Sequence, residues 1–325
     1  MNENLRKMGH PSQGTSVRRI MLRDGRAEGM RVIEIMTEGG LYLTVLEDNA
    51  LNLYDACWKG MNLCFKTKVG PTANRYLAAN ADGFNDYWYG GLLYTCGLAS
   101  TGTDNVDNGV FYPAHGRIGM MPAENVSVSE TETDIRIAGD IYDRKFCGYN
   151  LCLHRTITVG KQQPVIRISD TMENFEALPA EYMMIYHFNL GYPLLDDGCR
   201  LRFSEGEIIR SVGNEAASCS ITGPKDKKEE ELFWRKLQPA EDGFASGQVW
   251  NPEKQLGVRI SYRTAEIPYL LQWKNLVSHD YALGMEPTVS MSLGRAGERA
   301  NGTLPVLPGY GKKDFSVKLE VITEE

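Results

Sequence analysis

The chain carries five histidines, at 10, 115, 154, 187 and 279, and two of them lie in contexts suited to moving protons. His187 sits in MMIYHFNLGYP (Met183 to Pro193), between an apolar run and a segment with Asn189, Gly191 and Pro193 that reads as a turn. A histidine at such a junction is partly desolvated yet within reach of a ligand, which tunes an imidazole for acid/base work. The competing reading is a strand-end histidine satisfied by a backbone carbonyl, and the local sequence does not separate the two. His115 stands in PAHGRIG, where a titratable ring, a flexible glycine and the permanent cation of Arg117 fall within three residues. Neutral imidazole both donates and accepts, and guanidinium holds oxygens in a fixed fork. The plain alternative is a β-turn with a surface arginine.

Glu286 is embedded in YALGMEP, behind an apolar run. Apolar surroundings raise a carboxyl toward a general base's working range. Lys274 is the obvious partner if the carboxylate is instead a structural ion pair. Acid/base chemistry at one carbon needs two proton-transfer groups on opposite sides of the substrate, and one His with one Glu meets that need. Trp273, Trp88 and Tyr89 could offer flat apolar faces to a sugar ring, though Trp is as often packing.

Other chemistries find less support. No two histidines form a close ligand pair, and no Cys or carboxylate pattern completes a structural zinc site, so no metal site is expected. His10 lies in a polar segment, His154 in a strand pointing away from its leucine face, and His279 in VSHD is ambiguous. There is no G-x-S-x-G elbow, and GLASTGTDNVDNG matches neither phosphate-binding glycine motif. Cys96 in LLYTCGL has the apolar surroundings of an inert thiol. The seven cysteines show no regular spacing and read as reduced, mostly buried residues of a cytoplasmic protein.

A formal charge of −7 argues against nucleic-acid binding. The one dense charge run, PKDKKEEEL, carries both signs and reads as a solvated loop or helix start. No stretch approaches the roughly 18–20 apolar residues of a membrane span. The polar opening MNENLRKMGHPSQG lacks the apolar stretch of a signal peptide.

The elements that must position these residues are strands. Apolar/polar alternation marks Met30 to Glu38, Leu41 to Asp48, Asp134 to Asp143, Leu151 to Gly160, Pro164 to Glu173, Leu256 to Thr264 and Asp314 to Thr323. The 33 Gly and 14 Pro help to separate them. Scarce helical periodicity and many strands predict an all-β sandwich or barrel. No linker or repeat divides it, so one domain is expected over residues 21–325, after an N-terminal arm over 1–20. Four stretches lack alternation: Trp88 to Gly102, Tyr112 to Gly119, the His187 segment, and Gln272 to Pro287. They read as loops on the scaffold, where functional groups concentrate.

In this order the segments GGLLYTCGL, HGRIG, YHFNLGYP, YLLQWKN and LGMEP resemble the galactose mutarotase (aldose 1-epimerase) superfamily, and within it an aldose 1-epimerase-like branch. TLPVLPGYGKKDFSVKLEV resembles the family's late turn and closing strand, so the likeness spans about Val32 to Val321. It implies a β-supersandwich fold and cofactor-independent opening and reclosing of a cyclic sugar hemiacetal. Carried over, His187 would be the acid at the ring oxygen and Glu286 the base at the anomeric hydroxyl. His115 would position and polarise the sugar. Arg117, Asn189, Trp273, Lys274 and Trp88 would line the site. Arg75, in Asn74-Arg75-Tyr76, resembles the family's upstream substrate-binding arginine, although it lies 40 residues before His115. The aspartate that relatives place between His and Glu has no clear match. The expected ligand is a small sugar or sugar derivative, the expected location cytoplasmic, and a homodimer is compatible. A non-catalytic carbohydrate binder is the alternative from another class. A hexose-phosphate epimerase, lyase or glycosidase on the same fold also stays open; a glycosidase would need a second carboxylate about 5–10 Å from Glu286.

Overall fold

A computed structural model of the protein describes residues 6–73, 83–227 and 229–325. All seven alternating segments form strands, within two residues of the expected bounds at either end. Two large antiparallel sheets carry the fold. The eight-stranded sheet runs Arg200–Phe203, Phe244–Asn251, Leu256–Arg263, Lys312–Ile322, Val165–Asn174, Asn150–Gly160, Asp134–Arg144 and Ala123–Glu130. Asp134–Arg144, Asn150–Gly160, Val165–Asn174 and Lys312–Ile322 alternate as half-buried strands should, with Ile135, Ile137, Ile141, Leu151, Leu153 and Ile157 turned inward.

The eleven-stranded sheet runs Ser16–Met21, Arg31–Met36, Leu41–Leu46, Asn52–Trp58, Leu93–Leu98, Met183–Gly191, Ala282–Thr288, Tyr269–Asn275, Glu231–Leu237 and Gly206–Val212, with Met61–Asn62 beside Asn52–Trp58. Tyr186, Phe188, Leu190, Leu283 and Met285 point from it into the core shared with the other sheet. Ile185, Tyr94 and Cys96 point from its opposite face into a second cluster with Val32, Leu46 and Tyr89. The central strands are therefore covered on both sides.

The structure corrects the sequence reading in three places. The non-alternating stretches at 93–98, 183–191, 269–275 and 282–288 are central strands, not loops. All nine residues of Met183–Gly191 are buried, and a strand buried on both faces shows no alternation to detect. His187 thus lies within a strand rather than at its end, and the turn begins at Tyr192. The expected arm ends in an edge strand, because Ser16–Met21 pairs with Arg31–Met36 over six positions.

Buried charge ties the two sheets together beneath His187. Arg155 and Asp170, both fully buried, pair at 2.7 Å. The Tyr186 hydroxyl donates to Asp170 Oδ2 at 2.8 Å, and Arg155 donates to Thr95 Oγ1 and the Ala50 carbonyl. The residue next to His187 is thereby fixed from below. Among the described residues no helix is long and apolar enough to cross a membrane.

Candidate active site

Strand register brings the two central candidates together. Met183–Gly191 pairs with Ala282–Thr288 through Ile185↔Thr288 and Phe188↔Met285, so His187 and Glu286 face each other across the ladder. On the other side His187 pairs with Tyr94 and Glu286 with Leu271. Cross-strand neighbours on one face stand about 4.5–5.5 Å apart at Cβ, so these side chains must meet. They do: His187 Nε2 lies 3.3 Å from Glu286 Oε1, although the alignment falls short of a hydrogen bond and Oε1 has no hydrogen-bond partner among the described residues.

Room for the carboxylate comes from Gly284, two positions along the same face. A Cβ there would lie 2.2 Å from Glu286 Oε1 and 3.0 Å from the Trp273 Cβ. Glycine two residues before the glutamate in LGMEP lets the side chain fold back over the strand.

His115 reaches this pair from the turn that follows Val110–Tyr112. It adopts φ +56°, followed by Gly116 at φ +70°. The turn is stitched to the strand Leu93–Leu98 by Gly97 N–H donating to the His115 carbonyl and Arg117 N–H donating to the Gly97 carbonyl. A Cβ at 116 would sit 2.2 Å from the Gly97 carbonyl oxygen, so the glycine of HG is needed for close approach. The imidazole stands edge-on to His187, with centroids 5.7 Å apart.

Aromatic rings wall the site. Trp88 and Trp273 lie 5.4 and 5.6 Å from the His187 ring and 5.8 Å from each other. Phe84, on the short helix Phe84–Tyr87, packs 4.6 Å from His115 and stacks on Trp88. Within this apolar enclosure Nδ1 of His115, Nδ1 of His187 and Oε1 of Glu286 are all buried and have no hydrogen-bond partner among the described residues. Burying such atoms unpaired costs about 1–3 kcal/mol each, so a built site that keeps three of them is shaped for a polar ligand.

Burial also sets the protons. It pushes His187 down to about 3, with His115 adding to the fall, and pushes His115 down to about 4. Burial raises the Glu286 carboxyl well above its ordinary value, and the charge of Glu230 adds to the rise. The pair therefore rests as neutral imidazole and protonated carboxyl, holding one proton between them. One group ready to accept beside one ready to donate is the requirement for coupled proton transfer.

The remaining candidates divide. Asn189 is fully buried and donates to the carbonyls of Gly91 and His187, which leaves Oδ1 unpartnered. It braces the His187 strand against the Gly90–Gly91 turn. Lys274 points to the other face of its strand, where Ala217 O and Glu231 Oε2 accept from Nζ at 2.8 and 2.9 Å. It is not the partner of Glu286; that place belongs to His187. Arg117 turns away from His115 and donates to Asp143, Tyr149 and the Arg144 carbonyl. Arg75 lies outside the described residues. His10 caps a turn through Ser12, and His279 is exposed.

Three contributors escaped sequence reading. Gly284 was visible only as part of LGMEP. Phe84 follows a segment without periodicity. Glu230, in the charge run read as solvated, accepts from Trp273 Nε1 at 3.2 Å. It also lines a cleft of about 410 Å³ with Lys274, Glu231, Lys225 and Asn214. His187 and Glu286 do not line that cleft, so the His–Glu pair and the cleft are separate features.

Comparison with known proteins agrees with this architecture. The family described as "Domain of unknown function (DUF4432)" matches residues 27–321. No curated protein sequence matches the chain. A Klebsiella pneumoniae structure provisionally described as an aldose 1-epimerase is similar, with a TM-score of 0.87 at 23% identity, over 95% of this chain and 84% of that one. A galactose mutarotase-like protein from Clostridium acetobutylicum gives 0.65 at 13% identity, over 95% and 99% of the two chains. Galactose 1-epimerase from Lactobacillus acidophilus gives 0.60 at 12%, over 96% and 100%. The likeness shows a galactose mutarotase-like sandwich, as the sequence motifs implied.

Proposed function

Because the chain belongs to the DUF4432 family and carries a buried His–Glu pair on a mutarotase-like sheet, we propose that it is a carbohydrate 1-epimerase interconverting sugar anomers. The observation that supports this best is the convergence of three unpartnered buried polar atoms, on His115, His187 and Glu286, between indole faces. Sugars present hydroxyls at their edges and C–H faces above and below, which suits polar groups flanked by Trp.

Ring opening removes one proton from the anomeric hydroxyl and delivers one to the ring oxygen, both on one carbon. The His187–Glu286 pair carries one proton and one acceptor, so no net proton is needed from solvent. Sugar hydroxyls around the carboxylate stabilise the charge-separated arrangement. Imidazolium of His187 then protonates the ring oxygen while the Glu286 carboxylate accepts the anomeric proton. Rotation about the opened C1–C2 bond and reclosure with the transfers reversed give the other anomer. Each group contributes roughly 10²–10⁴-fold, sufficient for a reaction that already proceeds unaided. His115 is placed to hold a hydroxyl next to the reacting carbon.

The test is anomer exchange by saturation-transfer NMR over a panel of free and phosphorylated sugars. His187→Ala and Glu286→Gln should each abolish acceleration while the fold stays intact. Full activity in either folded variant would sink the assignment. Sugar-induced thermal stabilisation without acceleration for any sugar would instead identify a carbohydrate-binding protein.

A further inference from the structure

A second polar cluster lies on the outer face of the eight-stranded sheet, on the far side of the core from His187. Asp140 pairs with His154 across one ladder, and Tyr142 with Cys152 two positions on. On the next strand Cys152 pairs with Glu173. Alternation therefore sets Asp140, Cys152, His154 and Glu173 on one face, opposite the inward-turned Ile141 and Leu153. Asp140 Oδ1 lies 2.7 Å from His154 Nδ1, and Cys152 Sγ lies 3.8 Å from the same nitrogen. The donor atoms of Asp140, Cys152 and His154 all fall within 4.8 Å of one another.

The other edge of the imidazole is already engaged. Nε2 stands 3.0 Å from Glu173 Oε2, and Lys312 Nζ holds the same carboxylate at 3.0 Å. Asn125 donates to the second oxygen of Asp140 at 2.8 Å. The Cys152 sulfur, fully buried, and Asp140 Oδ1 both face Nδ1. A cation shared by sulfur, nitrogen and oxygen uses all three donors, and a carboxylate on the far nitrogen is the usual outer support of a metal-bound imidazole.

We propose that Asp140, Cys152 and His154 form a binding site for a thiophilic divalent cation of the Zn2+ class, with Glu173 as the outer-sphere partner of His154. Three protein donors of mixed S, N and O type leave a fourth tetrahedral position for water. The solvent side is open enough for it, since the His154 and Asp140 side chains are 34% and 23% exposed. The site joins three adjacent strands, so its role is structural and independent of the sugar chemistry proposed above.

The test uses untagged full-length protein stripped with a chelator and titrated with Co2+, then Zn2+. The wild-type protein should develop a near-ultraviolet thiolate-to-cobalt charge-transfer band that saturates at one equivalent and is displaced by Zn2+. Zn2+ should also raise the thermal midpoint. Cys152→Ser should lose the band, and Glu173→Gln should bind about 10–100-fold more weakly. Asp140→Asn, at a partly exposed position, serves if Cys152→Ser does not fold. The absence of saturable Co2+ binding would overturn the proposal, leaving an imidazole held between two carboxylates. A band of full intensity in Cys152→Ser, arising from the exposed Cys147 or Cys219, would overturn it as well.

Discussion

Replacing His187 and Glu286 one at a time should separate two opposite pH dependences that cancel in the intact protein. The two residues are 6% and 1% exposed. Burial lowers the imidazole from 6.5 to about 3 and raises the carboxyl well above 4.5. Between pH 5 and 6 the unfolded chain holds a proton on the imidazole and little on the carboxylate. The folded protein holds one on the carboxyl and none on the imidazole. Stability changes with pH in proportion to the protons bound by the unfolded state less those bound by the folded state, about 1.4 kcal/mol per pH unit for one proton.

For the lowered imidazole the unfolded chain binds more, so its contribution is complete above pH 6.5 and is lost as pH falls. For the raised carboxyl the folded protein binds more, so its contribution is complete below pH 4.5 and is lost as pH rises. The sum is close to flat. Partial ionisation of the unfolded chain reduces each slope to about 1 kcal/mol per unit. Moving from pH 5 to pH 6, His187→Gln should therefore lose about 1 kcal/mol relative to the wild-type protein, and Glu286→Gln should gain about 1 kcal/mol. His115, lowered to about 4, contributes similarly to all three proteins and drops out of the differences. Urea midpoints at pH 5.0, 5.5 and 6.0 measure the effect if the denaturant slope is unchanged. Parallel pH curves for the three proteins would refute the reasoning, because folding would then displace neither group.

Gly284→Ala would place a methyl group 2.2 Å from Glu286 Oε1. Swinging the carboxylate off its row should cut kcat/KM by about 10²-fold or more, at an overpacking cost of about 1–3 kcal/mol. Undiminished turnover in the folded variant would count against the role given to that glycine. Arg117→Ala would leave the fully buried Asp143 without its cation. Because the Arg117 side chain is 41% exposed, the loss is discounted to about 2 kcal/mol. Thermal melts should show that loss while KM for any sugar stays constant; a raised KM would return Arg117 to the substrate site. Arg155→Met strands Asp170 in the core and should cost about 3–5 kcal/mol in urea melts. Adding Asp170→Asn should recover part of it.

Most of the scaffold strands were legible because they show one face to solvent. In Asp134–Arg144 and Lys312–Ile322 burial alternates almost residue by residue, and the sequence alternates with it. The strands that carry the site were not legible as strands. LYTCGL is buried at every position, as are MMIYHFNLG and ALGMEPT, so solvent imposes no polar residue at every second place. Such runs differ from a buried loop only in length and in their Gly and Pro punctuation, and Gly191, Gly284 and Pro287 blur even that.

Local sequence did not reveal the side-chain partners for a related reason. A side chain's charge is visible in a sequence, but its partner is a matter of register. Lys274 and Trp273 are adjacent in the chain yet occupy opposite faces, one held by Glu231 and the other against His187. Arg117 follows His115 by two residues, but it belongs to the ion pair with Asp143 because the turn through Gly116 folds against Gly97. His187 and Glu286 are 99 residues apart in the sequence and opposite one another in the sheet only because Ile185 pairs with Thr288. The order of short motifs found this pair where local context could not, since motif order carries the topology that sets the register. The same topology explains why neither residue alone looked decisive. A histidine or a glutamate within a doubly buried strand is costly on its own, and the two become tolerable together as a neutral pair sharing one proton. Replacing either should therefore change anomer exchange and pH-dependent stability together.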